Sequence, residues 1–317
     1  MARPAHRATT ANLAALYPFM AGAGLGSDAP YTGQEHTGGA FCYDPWNLYQ
    51  VRLTNPNILV AGQLGRGKSS FVKTLLWRGV VFGRRAAVLD PKGEDGTLAA
   101  ALGVEPIRLR PGSGVRLNPL DPGPGADELG PEEIARRRLT LLQSIAGAAL
   151  RRELAPIERA ACRLALAAVT PADAVPTMPQ VASALMNPAP AAADEIRTTT
   201  AELARASHDV ALELRRLCDG ELAGLFDGPT TVAVDWDGPL VVLDLSAVPE
   251  DETLAILMAC ATAWIQAAIV RPHARRRYIV LEKPRREEVV APGTPPEAQI
   301  GRTPTPRDSF ARLYGAL

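Results

Sequence analysis

The chain has 317 residues, 47% of them hydrophobic, and its 34 Lys and Arg are balanced by 34 Asp and Glu. That content supports a packed interior and excludes global disorder, and the even charge excludes a chain-wide bias toward nucleic acid or anionic membrane. The four cysteines, Cys42, Cys162, Cys218 and Cys260, form no C-x-x-C pair, which argues against zinc and a disulfide framework and suits a reducing cytoplasm.

No apolar stretch follows the basic start Met1–Arg7, so no secretory leader is expected. Residues 1–52 are Gly- and Ala-rich with scattered aromatics, including Phe41-Cys42-Tyr43-Asp44-Pro45-Trp46, and read as an entry segment that is partly strand. A first core region spans 53–125. Its apolar run Ile58-Leu59-Val60-Ala61 predicts a strand, and the segment from Lys68 predicts a helix over 68–82. A second strand over 86–89 ends at Asp90-Pro91-Lys92-Gly93-Glu94, and a helix over 96–102 and a strand over 106–109 follow. Such β-α-β-α-β alternation predicts an α/β domain with a mainly parallel sheet.

Past the turn-forming run Asn118–Gly125 the texture changes. Residues 126–226 read as an all-helical insertion, Ala-, Leu- and Arg-rich and punctuated by Pro156, Pro171, Pro179, Pro188 and Pro190. One apolar stripe comprises Ile134, Leu139, Leu142, Ile145, Ala149 and Leu150, and another Leu203, Val210, Leu212, Leu214 and Leu217. Arg136-Arg137-Arg138 read as solvated helix surface. The core resumes over 227–282, with strands expected at Thr231–Val234, Leu240–Asp244 and Tyr278–Glu282. Between the last two, the uncharged run Leu254–Val270 is at the lower limit for crossing a bilayer. Flanked by strand-like runs, it reads instead as a helix buried against a sheet. Residues 283–317 are Pro-rich without period and read as a disordered tail.

The most informative stretch is Gly62-Gln63-Leu64-Gly65-Arg66-Gly67-Lys68-Ser69, followed by Ser70. It is the P-loop pattern G-x-x-x-x-G-K-[ST] between a predicted strand and a predicted helix. Glycines let successive N–H groups turn toward phosphate oxygens, and the helix N-terminus adds partial positive charge. Lys68 is the residue to reach the β- and γ-phosphates of a nucleoside triphosphate, and the Ser69 hydroxyl is the Mg²⁺ ligand.

Hydrolysis also needs an acidic strand end. Asp244 closes Leu-Val-Val-Leu-Asp but is followed by Leu245 and Ser246; Glu282 closes Tyr-Ile-Val-Leu-Glu but is followed by Lys283 and Pro284. Neither offers an acidic pair. Asp90–Glu94 suits a type I turn, and its place at a strand's C-terminal end equally suits a role near a bound phosphate.

These segments, with Leu117-Asn118-Pro119-Leu120-Asp121, Gly224-Leu225-Phe226-Asp227-Gly228 and Val241–Ser246, resemble the conjugal-transfer and type IV secretion ATPases, TraC-like motors of the FtsK–HerA group, over about residues 10–281. The resemblance implies a RecA-like P-loop NTPase with an inserted helical subdomain. It further implies a hexamer that hydrolyses ATP beside the components of a membrane transfer apparatus, at the cytoplasmic face of the membrane. Carried over, Lys68 and Ser69 are the Walker A pair and Glu282 stands at the end of the Walker B strand, where the family has Asp-Glu-Ala. A one-base loss turns codons for Leu-Asp-Glu-Ala into Leu-Glu-Lys-Pro, so residues 282–317 are expected to be an out-of-frame continuation and hydrolysis to be impaired. Two alternatives stay open. One is a DNA-pumping translocase or coupling protein of the same group, with DNA as partner; the other is an assembly subunit that binds ATP without hydrolysing it.

Overall fold

The computed structural model describes residues 24–36, 38–63, 65–123, 129–170, 175–232, 234–248, 251–269 and 276–282. The expected tail, 283–317, lies outside them, as does most of the segment before Tyr31. The chain divides into two compact units, one of residues up to Ala86 with Arg275–Tyr278, the other of Ala87–Ala274 with the residues from Ile279 onward.

The first unit opens with an antiparallel pair, β1 (Tyr31–Gln34) and β2 (Ala40–Cys42), in which Tyr31 faces Cys42 and Gln34 faces Ala40. A one-turn helix, α1 (Pro45–Leu48), follows, its first turn capped by the Asp44 carboxylate, which accepts the Trp46 N–H at 2.9 Å. Asp44 is 1% exposed. A buried carboxylate requires partners, and it has them: Arg84 Nε at 2.7 Å and the Tyr278 hydroxyl at 3.0 Å. Burial first, and then the adjacent Asp44 charge, push the Tyr278 phenol above its usual range. Arg84 also donates to Asn47 Oδ1, and the Arg276 guanidinium lies 5.8 Å from the Trp46 ring centre. These contacts tie the aromatic entry segment down as one polar knot.

The helix expected over 68–82 is an α-helix, α2 (Lys68–Gly79), tightening to 3₁₀ over Val80–Phe82. It packs on β1, with the Arg78 guanidinium 5.4 Å from the centre of the Tyr31 ring. The strand expected at Ile58–Ala61 does not form: the run is irregular, and Leu59 is 91% exposed. An apolar run becomes a strand only when a neighbour takes its backbone hydrogen bonds, and among the described residues none pairs with this one.

Strands β3 (Arg85–Asp90), β4 (Ile107–Arg108), β5 (Leu240–Asp244) and β6 (Arg277–Leu281) form a four-stranded sheet in the order β4-β5-β3-β6. β4 and β5 run parallel, with Ile107 beside Leu243 and Arg108 beside Asp244. The α/β architecture with a mainly parallel sheet is as the sequence implies. Helix α3 (Gly96–Ala101) packs against β5. No strand forms at Thr231–Val232. There the Thr230 and Thr231 hydroxyls accept the backbone N–H groups of Asn118 and Arg116 that a strand ladder would use.

The helical region comprises α4 (Pro131–Ala149), α5 (Pro156–Ala168), α6 (Met178–Met186), α7 (Pro190–Glu195), α8 (Thr200–Ala206) and α9 (His208–Arg216), with a π turn over Leu217–Glu221. Proline opens α4, α5 and α7, where its missing N–H costs nothing. Leu142, Ile145 and Ala149 are buried as the first stripe predicts, and so are Leu203, Val210, Leu214 and Leu217 of the second. Leu212 is 46% exposed, because on α9 it faces away from Val210 and Leu214. Arg138 departs from the solvated reading, donating to the Leu120 carbonyl from a half-buried position that lowers its pKa.

Helix α10 (Asp251–Ile269) packs on α4, burying Ile256, Leu257, Ala261, Trp264 and Ile265. Trp264 meets Trp236 edge-on at 5.1 Å. No described helix is long and apolar enough to cross a membrane. One continuous core joins sheet residues Leu89, Val241 and Leu243 to the helical residues Leu142, Met178, Leu214 and Leu257. The helices and the sheet of the second unit are thus stabilised by the same burial. All four cysteines are buried and free; burial pushes the Cys162 and Cys218 thiols up to about 12, which leaves them chemically quiet.

Candidate functional site

The phosphate-type loop belongs to the first unit. Gly65 and Gly67 take left-handed conformations, φ 73° and 81°, and at either position an added Cβ would be strained by the backbone alone. Gly67 is the residue before α2, so the helix starts with no side-chain cap. Phe71 N–H donates to the Gly67 carbonyl, whereas the N–H groups of Lys68, Ser69 and Ser70, in the first turn, have no helical acceptor. They remain available, together with the helix dipole, to an anion.

Lys68 folds back along Gly62 and donates from Nζ to the Gln63 carbonyl at 2.8 Å, spanning the loop it closes. The same carbonyl receives the Arg66 N–H at 3.4 Å. Residues 61–63 and 65–67 are exposed, and Lys68 and Ser69 are half-buried. Leu64 lies outside the described residues. The donor set therefore comprises the first-turn amides, the Lys68 ammonium and the Ser69 hydroxyl. It fits a triphosphate, with the hydroxyl as the oxygen donor that a hard divalent cation takes.

The second unit gathers acidic residues at one end of its sheet. Asp90, 1% exposed, ends β3 and accepts three backbone N–H groups. Lys92 N at 3.0 Å and Gly93 N at 2.8 Å donate to Oδ1, and Asp95 N at 2.8 Å donates to Oδ2. The Asp90 side chain thus organises its own loop, taking N–H groups from Lys92, Gly93 and Asp95. Gly93 has φ 71°, and a Cβ there would lie 3.0 Å from the Ser246 hydroxyl, so the turn is pressed onto the residues after β5.

The two acidic strand ends sit in different surroundings. Asp244 is spent locally, accepting the Ser246 N–H at 3.0 Å and lying 3.8 Å from Arg108 Nε. Glu282 follows β6 and comes close to Asp90 and Asp95, one carboxylate oxygen of each lying within 4.8 Å of the others. Oxygens so placed are near enough to share one cation. Lys92 also reaches this group, its Nζ 3.3 Å from Glu282 Oε2. Sequence reading missed Asp95 and the Lys92–Glu282 pair. The only signal for Asp95 was its position just past the Asp90–Glu94 turn.

No family model matches the chain, and no curated protein matches it. Among solved structures, VirB4 of Thermoanaerobacter pseudethanolicus shares its fold, with a TM-score of 0.64 and 23% identity over 82% of this chain and 69% of that one. The likeness shows the fold, and with it the RecA-like architecture that the sequence resemblance implied.

Proposed function

We propose that the chain is an ATP-binding motor of the kind that energises type IV secretion or conjugative DNA transfer. The observation carrying this reading is the loop from Gly62 to Ser70. Its left-handed glycines, uncapped helix start and folded-back Lys68 make a cradle for phosphate oxygens. The RecA-like fold shared with VirB4 supports it. In this reading the amides of Gly65–Ser70 and Lys68 hold the β- and γ-phosphates, and Ser69 ligates Mg²⁺, which would neutralise the developing charge on the phosphoryl group. The water-orienting role falls to Glu282. Because it lacks an acidic neighbour on β6, turnover is slow. The motor works as a hexamer with components of a membrane transfer apparatus, at the cytoplasmic side.

The test pairs binding with turnover. Titrating a fluorescent ATP analogue with Mg²⁺ into the chain and into Lys68→Ala is expected to give about tenfold or greater loss of affinity in the variant, since a charge-assisted contact is removed. An unchanged melting temperature would place the loss at the site. Equal affinity for both proteins rejects the cradle. Tight binding by the unmodified chain with no hydrolysis above the Lys68→Ala level favours the assembly-subunit reading instead.

A further inference from the structure

We propose that Lys92 is a positioning residue for Glu282: the Asp90–Asp95 turn holds its ammonium against that carboxylate, fixing the orientation in which Glu282 works. The inference rests on the hydrolytic reading above and deepens it.

Three features place Lys92. Asp90 is buried and saturated by the N–H groups of Lys92, Gly93 and Asp95, so the backbone path from 90 to 95 is set from within. Gly93 adopts a left-handed conformation, φ 71°, that strains any L side chain, and a Cβ there would lie 3.0 Å from the Ser246 hydroxyl. That contact leaves the turn no room to shift toward β5. Between these anchors the Lys92 side chain, 21% exposed, runs to Glu282, whose side chain is 10% exposed, and meets Oε2 at 3.3 Å.

A lysine on an open surface loop would gain little from such a pair, since solvent screens it and rotamer entropy opposes it. Here both partners are mostly withdrawn from water and one backbone is rigid, so the contact selects one carboxylate rotamer. The ammonium also offsets the repulsion among the clustered oxygens of Asp90, Asp95 and Glu282. With Oε2 held, Oε1 is the oxygen left to accept a hydrogen bond from water. Orientation of that kind acts on the rate of the chemical step rather than on nucleotide affinity.

The experiment compares ATP turnover, binding of a fluorescent ATP analogue, and melting temperature for the full chain, Lys92→Ala, Lys92→Arg, Glu282→Gln and the double variant Lys92→Ala/Glu282→Gln. Lys92→Ala is expected to lower kcat about tenfold or more while KM and analogue affinity change less than about threefold. Lys92→Arg should restore most of the loss, and the double variant should be no slower than Glu282→Gln. Three results overturn the proposal: turnover by Lys92→Ala equal to that of the unmodified chain, a loss that tracks a lowered melting temperature and is not rescued by arginine, or an unmodified chain that binds the analogue but turns over no faster than Lys68→Ala. Failure of the unmodified chain to bind the analogue at all rejects the underlying nucleotide reading, a separately visible outcome.

Discussion

Two apolar runs of similar composition, Ile58–Ala61 and Leu240–Asp244, meet opposite fates. The second is a strand, β5, lying between β4 and β3, with Leu240 to Leu243 all 3% exposed or less. The first has no strand neighbour among the described residues, and its Leu59 is 91% exposed. Both are rich in the aliphatic residues that favour strands. What separates them is the company each keeps: a strand's stability comes from ladder partners and from the layers on its faces, not from the run itself.

The sharpest way to break this contrast is to charge β5. Val242 is 1% exposed in the middle of the sheet. Val242→Asp would bury an unpaired carboxylate, and the expected cost is at least about 3–5 kcal/mol, enough to prevent folding of the second unit. Urea unfolding followed by circular dichroism measures it. A loss below about 1 kcal/mol would mean that β5 is far more open in solution than its burial states.

The same contrast explains what could be read from the sequence and what could not. The bend from Gly65 into α2 was legible because its geometry is local: Gly65, Gly67 and Lys68 lie within four positions, and φ and helix start are set by neighbours. Helix α10 and strands β3, β5 and β6 were legible because long or bounded apolar runs leave few alternatives. The missing strand at 58–61 was illegible because pairing is a property of partners remote in sequence. Remoteness also hid the polar contacts that organise the acidic end of the sheet. Lys92 and Glu282 are 190 positions apart, and Asp44 and Tyr278 are 234 apart, so no spacing rule joins them. At Asp90 the Pro and Gly pattern pointed to a bend in the chain, but not to an Asp90 side chain that takes three N–H groups.

A smaller effect sharpens the comparison within the well-packed unit. Glu158, 4% exposed near the start of α5, accepts both Arg152 Nη atoms and the Ala155 N–H, each at 2.7 Å. The Arg152 hydrogen bonds, helped by the Ala155 N–H and opposed by burial, hold its carboxyl below the ordinary carboxylate range. A folded-state pKa below the unfolded one means stability that is present above the ordinary value and lost as pH falls through the folded one. Glu158→Gln is therefore expected to cost about 1–2 kcal/mol at pH 7, with the gap from the unmodified chain closing in acid below about pH 4. Thermal melts at a series of pH values test the sign; a gap that widens in acid contradicts it.

The smallest expected effect is the most informative about the first unit. If Leu59 is as solvated as its 91% exposure states, Leu59→Asp removes no buried surface and breaks no ladder. Stability should then stay within about 0.5 kcal/mol of the unmodified chain. ATP-analogue affinity should also hold, because the donors of the cradle begin beyond the run, at Gly65 and the first turn of α2. A drop of about 2 kcal/mol or more would carry a different message: that in solution Ile58–Ala61 is covered, its alternating side chains and open backbone taken up by a strand from beyond the described residues. Measuring the same variant across a range of protein concentrations separates the two sources of such a strand. A cost that appears only at high concentration assigns the cover to a second chain, and one that is independent of concentration assigns it to this one.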